Sequence, residues 1–268
     1  MRLLAGGEPL LFSNINEIIE QIKNKKIDVV LTTNGSLIKT KIIKNMILFK
    51  LDKIRISLHA ATSKTYIKTH GVDHFNLVIK NINEVILKRK DRFFPKIILY
   101  FVIQKDNYHE INKLVRLAIQ LGVDEIEFGV LIDFKTKISL ELNSSQYKKI
   151  IRTLEKINNN NNVVIKNNIK YVLPGLKEKC SCKKDNNLYD EKKYCPIITN
   201  TVEMSATGEI YPCCFSINSP PKVFIQKNSF ILINAWKKYS QFRKKILKGQ
   251  FYTFCNELCT MRISKLVS

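Results

Sequence analysis

From residue 1 to about residue 160 the chain alternates short apolar runs with stretches whose apolar positions recur every three or four residues. Leu3-Leu4-Ala5 reads as the tail of a strand, and residues 14–25 place Ile15, Ile18, Ile19 and Ile22 at the spacing of one helix face. Residues 28–33 predict a buried strand that stops at the turn-forming dipeptide Asn34-Gly35, with a helix over 36–49. Strand 53–58, helix 75–90, strand 96–103, helix 108–121 closed by Gly122, and strand 125–131 continue the alternation. Continuous apolar strands, each followed by a helix, predict an α/β fold with a parallel sheet covered by helices.

In that architecture ligands bind at the carboxyl ends of strands, where the loops converge on one side of the sheet. Gly6-Gly7-Glu8-Pro9, Thr33-Asn34-Gly35, Ser57-Leu58-His59 and residues 104–107 all fall at such ends. Each has an ordinary reading as turn or helix-cap chemistry. Together they mark a ligand-binding edge. The paired glycines allow close backbone approach, Glu8 supplies an acceptor for an ammonium or hydroxyl group, and Pro9 stiffens the exit of the turn. The asparagine run 158–162 breaks the alternation and predicts a boundary, with domains at 1–160 and 161–268.

With 268 residues, 45% of them hydrophobic, the chain has the material for one large domain and a smaller one. No apolar run approaches the roughly 18 residues needed to span a bilayer, and no signal-peptide pattern opens the chain, so a cytoplasmic location is expected. Lys and Arg number 45 against 23 Asp and Glu, a net charge of +22 that raises nucleic acid as a partner. The lysines are spread over almost every segment, and no stretch interleaves basic with aromatic residues, so nucleic acid is not expected. All seven cysteines lie beyond residue 179, which in a cytoplasmic chain argues for metal binding or catalysis ahead of disulfides.

Gly6-Gly7-Glu8-Pro9 resembles the motif by which radical S-adenosylmethionine (SAM) enzymes hold the methionine amino group of SAM. The segment Ile56-Ser-Leu-His-Ala-Ala-Thr62 with Tyr66 is similar to the fourth-strand segment of that family, and residues 113–127 to its fifth helix and sixth strand. The resemblance implies a partial (β/α)6 TIM-like barrel missing its first strand–helix unit. It also implies that Gly6, Gly7, Glu8 and Pro9 meet the SAM amino group and that Asn34 supports their loop. Ser57 would reach the SAM carboxylate or ribose, Asn107 would lie near the ribose, and Leu131 or its neighbours would line the adenine. In that family an upstream Cys-x3-Cys-x2-Cys loop binds the catalytic [4Fe-4S] cluster, which cleaves SAM to a 5'-deoxyadenosyl radical. Here five residues precede Gly6, the first cysteine is Cys180, and Arg262 stands where a third cysteine would follow Cys255 and Cys259. The expectation is a truncated chain, inactive as given, whose full-length form carries the catalytic cluster; the competing expectation is a natural shortened relative.

Cys195-Pro196, the segment from Gly208 to Cys213-Cys214, then Trp236, Arg243, Gly249 and Cys255-x3-Cys259 resemble the SPASM region, or its shorter Twitch form, that carries auxiliary clusters in many radical SAM enzymes. The resemblance implies a small α+β region with a hairpin over 204–211. It implies one auxiliary [4Fe-4S] cluster on Cys195, Cys213, Cys255 and Cys259, with Cys214 able to replace Cys213. The same four thiolates would also suit tetrahedral zinc. Cys180 and Cys182 fall outside the pattern. The implied substrate is a peptide, a protein or a small molecule, and the implied electron donor is a reductase or a flavodoxin-type protein. The alternative is a non-catalytic iron-sulfur or zinc protein that binds a partner through the barrel remnant.

Overall fold

The structure is a computed structural model that describes residues 2–3, 7–90, 93–131, 142–157, 163–167, 203–204, 209–211, 223–224, 237 and 239–248. The chain divides into two compact units, Ser13–Ile169 and the combination of Met1–Phe12 with Lys170–Ser268.

Residues 13–169 form an α/β unit. Its elements in chain order are α1 (Ile15–Asn24), β2 (Val30–Thr33), α2 (Thr40–Leu48), β3 (Lys53–Ser57), α3 (Ser63–His70), α4 (Phe75–Arg89), β4 (Lys96–Ile103), α5 (Ile111–Leu121), β5 (Glu125–Val130), α6 (Ser144–Lys156) and β6 (Val164–Asn167). The five strands β2 to β6 pair in chain order and every pairing is parallel. Most boundaries fall within a few residues of the sequence expectation. In α1 the four isoleucines are the buried residues, and in α5 Ile111, Leu114, Val115 and Ala118 are buried. Gly122 ends α5 at φ 74°, where its N–H donates to the carbonyls of Ala118 and Ile119.

Three elements depart from the sequence expectation. α2 begins at Thr40 because the side chains of Thr33 and Asn34 draw the N–H groups of Gly35 and Ser36 into turns that keep the chain non-helical. α3 is an added helix, started by the Thr62 side chain accepting from Thr65 N and stopped at Gly71 with φ 75°. β6 lies just past the asparagine run, where an irregular chain is expected; its short apolar stretch is flanked by asparagines and interrupted by Lys166.

Strand register sorts the sheet into two unlike faces, because parallel partners point the same way. One face carries Leu31, Ile54, Ile56, Ile97, Leu99, Phe101, Ile126 and Phe128, all fully buried. Burying each such side chain contributes about 1.5–3 kcal/mol, which makes this face the core. The other face carries Thr32, Arg55, Ser57, Tyr100, Glu127 and Lys166. Arg55 Nε donates to Glu127 Oε2 at 2.8 Å and the guanidinium lies 3.4 Å from the Tyr100 ring centroid. Gly129 leaves room for this ring: a Cβ there would stand 2.8 Å from the Tyr100 hydroxyl.

The second unit contains β1 (Arg2–Leu3), β7 (Glu203–Met204), β8 (Glu209–Tyr211), β9 (Val223–Phe224) and α7 (Ser240–Leu247). β1 runs parallel to β7, while β7–β8 and β8–β9 are antiparallel with Glu203 opposite Tyr211. Tyr239, Phe242 and Ile246 are buried, as are Ile210 and Tyr211, and the Tyr239 hydroxyl donates to the Ile210 carbonyl. Among the described residues no helix is long and apolar enough to cross a membrane.

Candidate functional site

Gly7 adopts φ 141°, a backbone region that side-chain-bearing residues rarely enter. Glu8 follows in an extended conformation and its Oε1 accepts from Leu10 N at 3.1 Å. Pro9 opens the 3-10 turn Pro9–Leu11, where its missing N–H costs nothing, and it is buried together with Leu10. The turn is therefore held by the carboxylate of the residue expected to meet an ammonium group. Gly6 lies outside the described residues.

In the α/β unit, Asn34, Ser57 and Asn107 sit just at or beyond the carboxyl ends of three adjacent strands, β2, β3 and β4. Asn34 Oδ1 accepts from Ser36 N at 2.9 Å and from Ser36 Oγ at 2.7 Å. Gly35 has φ 82°, and a Cβ on it would lie 3.0 Å from methyl groups of Ile56 and Val78, so the loop is seated directly on the core. Asn81 of α4, almost fully buried, donates to the carbonyls of Gly35 at 2.9 Å and Ser36 at 3.3 Å.

Ser57 is partly exposed on the polar face, and its carbonyl accepts from His70 Nε2 at 3.2 Å. Two residues on, His59 takes the left-handed conformation at φ 47° and its Nδ1 accepts from Val102 N at 3.1 Å, so the ring proton sits on Nε2. Burial pushes the His59 pKa down to about 3, and the charges of His70 and Arg55 lower it further in the same direction. The ring therefore stays neutral and keeps its acceptor. His70 stacks on Tyr66 with centroids 3.9 Å apart and faces His59 at 5.4 Å; burial lowers its pKa as well.

Asn107 is fully buried and its amide is spent inside the protein. Nδ2 donates to the His59 carbonyl at 2.9 Å and the Val102 carbonyl at 2.8 Å, while Oδ1 accepts from Gln104 N at 2.8 Å. Beside it Glu110, 1% exposed, accepts from Ala61 N and from the Thr62 hydroxyl, both at 2.7 Å. Asn81, His70 and Glu110 were not singled out from the sequence as site residues, whereas His59 stood within the strand-end segment 57–59 without a role of its own. Asn81 and Glu110 carry a readable signal, since each is a polar residue at a position where the local pattern favours an apolar side chain. Leu131 is partly buried and its N–H donates to the Ile103 carbonyl.

Cys195, Cys213, Cys255 and Cys259, with Cys180, Cys182 and Cys214, lie outside the described residues. Among the described residues no group of three or more His, Cys, Asp or Glu is placed to hold a metal ion.

Residues 3–118 match the model of the Radical SAM superfamily. The match takes in less than half of the 268 residues and marks a likeness to that superfamily over this segment. Probable GTP 3',8-cyclases from Saccharolobus islandicus are 40% identical over 124 residues, covering 46% of this chain and 39% of theirs. The one from Sulfurisphaera tokodaii is 34% identical over 155 residues, covering 58% and 47%. The chain thus spans less than half the length of these curated relatives. Among solved structures, Streptococcus suis SuiB bound to precursor peptide SuiA aligns with a TM-score of 0.63 at 20% identity, over 97% of this chain and 58% of that one. anSMEcpe with bound AdoMet aligns with a TM-score of 0.59 at 18% identity, over 98% and 76%. At these identities the likeness is one of fold.

Proposed function

We propose that this chain supplies the SAM-binding segments and a SPASM/Twitch-like cysteine region of a radical SAM enzyme that modifies a peptide or protein residue, or another substrate, by hydrogen abstraction. The carrying observation is that the superfamily match over residues 3–118 includes polar groups at three adjacent strand ends and the Gly7-Glu8-Pro9 turn. The donor set suits SAM. Glu8 offers a carboxylate to the ammonium group, and Ser57 a hydroxyl to the carboxylate or ribose. Asn107 acts one step back: with its amide already bonded to three backbone groups, it positions the His59 loop beside Ser57. Beside a reduced cluster, a bound SAM would supply a 5'-deoxyadenosyl radical able to take hydrogen from an unactivated carbon.

The 268 residues contain no Cys-x3-Cys-x2-Cys that would hold a catalytic cluster. Cys195, Cys213, Cys255 and Cys259 are proposed to hold one auxiliary [4Fe-4S] cluster, with zinc as the outcome that would favour a non-catalytic binding protein. A reductase or flavodoxin-type donor is proposed as the electron source. A second substrate reading, a guanosine nucleotide, is favoured by the 40% identity to probable GTP 3',8-cyclases.

The reading is tested by equilibrium dialysis of labelled SAM against this chain. Ser57→Ala and Glu8→Gln should each weaken binding about tenfold, the loss of roughly one hydrogen bond to a charged or polar ligand group. Unchanged affinity in both variants would overturn the assignment. Anaerobic reconstitution should load iron and sulfide in the parent and fail in Cys195→Ala/Cys213→Ala. Calorimetric titration with GTP decides between the nucleotide and peptide readings.

A further inference from the structure

Between α5 and α6 lies a groove of about 880 Å³ that the site above does not use. Arg116 of α5 and Lys148, Lys149, Arg152 and Lys156 of α6 line it, and the four on α6 recur at the spacing of one helix face. All five are exposed, and among the described residues no Asp or Glu lines the groove and none of the five is in an ion pair. The sheet behaves differently: Arg55, Lys96 and Lys166 on its polar face are each matched to a glutamate. A lysine excess spread without purpose would leave carboxylates mixed into this helix face too. Here the cations line one edge with no carboxylate partner among the described residues, and the contact given for them is Lys149 Nζ 5.8 Å from the Tyr108 ring centroid.

The floor of the groove is aliphatic, from Val115, Ile119 and Ile157, and Ile119 is 41% exposed. Among the described residues no aromatic side chain lines it. Single-stranded nucleic acid draws much of its affinity from stacking on aromatic rings, which this floor cannot provide. A peptide with carboxylates for the rim and an aliphatic side chain for the floor matches both features. From Lys148 to Lys156 the α6 row extends roughly 12 Å along the helix, the reach of about four extended residues.

We propose that the α5–α6 groove docks an acidic segment of a partner protein, its carboxylates on the Arg116 and α6 cations and an aliphatic side chain on Val115 and Ile119. The site is independent of SAM, and its test needs neither SAM nor a cluster.

The probe is a fluorescein-labelled peptide of Glu-Glu-Leu repeats, read by anisotropy at physiological salt, with a Gln-Gln-Leu peptide and an oligo(dT) of matched charge as comparators. Arg116→Glu/Lys148→Glu/Arg152→Glu should weaken Glu-Glu-Leu binding at least about tenfold. Lys41→Glu/Lys44→Glu/Lys64→Glu, which reverses as many exposed charges on α2 and α3, should change it less than about twofold. SAM affinity should be the same in both variants. Should the groove variant fail to fold, Lys148→Gln/Lys149→Gln/Lys156→Gln replaces it, with the same expected loss. Equal losses in the groove and control variants would reduce the effect to net charge and overturn the proposal. So would oligo(dT) binding more tightly than the peptide, or no peptide binding by the parent chain.

Discussion

The two edges of the parallel sheet are fastened in different ways. At the amino ends of the strands the fasteners are ion pairs that also reach the backbone. Asp52 takes Lys23 at 2.6 Å and the N–H of Val29 at 2.7 Å, while Asp124 takes Arg89 and the N–H of Ile97 at 2.6 Å. Each ties a helix to the start of a strand. At the carboxyl ends, Asn81, Asn107 and Glu110 are buried side chains bonded to loop backbone and one hydroxyl, and His59 is held neutral among them. The first arrangement fixes strand starts; the second fixes the shape of loops. Parallel α/β proteins commonly divide stability and chemistry between the two edges in this way.

Breaking the carboxyl-edge fasteners should therefore cost more than breaking the amino-edge ones, and should be felt in SAM binding. Asn107→Ala strands two carbonyls and an N–H in a buried position, so we expect a loss of about 3 kcal/mol in denaturant unfolding together with weakened SAM binding. A loss no larger than that of an amino-edge variant would erase the distinction between the edges.

His59 sharpens the comparison through pH. The folded state keeps it neutral to about pH 3, whereas an unfolded histidine gains its proton near 6.5, so between these values the unfolded state binds more protons. Its contribution is fully present above about pH 6.5 and declines as pH falls toward 3. Stability should drop by about 2 kcal/mol from pH 6.5 to 5 on its account, with urea midpoints as the measure. His59→Asn, which tolerates the left-handed backbone, should flatten that slope. A slope unchanged by the substitution would remove His59 as its source.

The smallest effect belongs to the amino edge. Asp52→Asn keeps an acceptor for the Val29 N–H and loses only the attraction to Lys23, a pair in which both side chains are still 17–18% exposed. We expect about 1 kcal/mol or less, reduced further by salt, with SAM affinity unchanged. An altered SAM affinity would show that the two edges are not separable.

Much of the α/β unit was legible from periodicity. The isoleucines of α1, the strand Lys96–Ile103 and the closure of α5 at Gly122 all stand close to where the pattern puts them, because one apolar face decides each element locally. α3 and β6 were not legible: α3 rests on a Thr62 cap and a stacked Tyr66–His70 pair, and β6 on pairing with β5. Of the site, the strand-end positions of Asn34, Ser57 and Asn107 were readable in order. That the Asn107 amide is consumed in holding a loop was not, since its partners His59 and Val102 are fixed only by strand neighbours.

The sequence by itself determined the strand–helix alternation, the superfamily resemblance at Gly6-Gly7-Glu8-Pro9 and the confinement of cysteine beyond residue 179, because each depends on residue type and short spacing. Tertiary structure alone decided which polar residues clamp loops and which stay available, and which cations are matched. Arg55 and Lys148 are both cations in the sequence. Only strand register puts Glu127 within 2.8 Å of Arg55, while helix packing leaves Lys148 on a rim that no carboxylate among the described residues lines. Pairing is a property of distance, and distance between residues far apart in the chain is set by the fold.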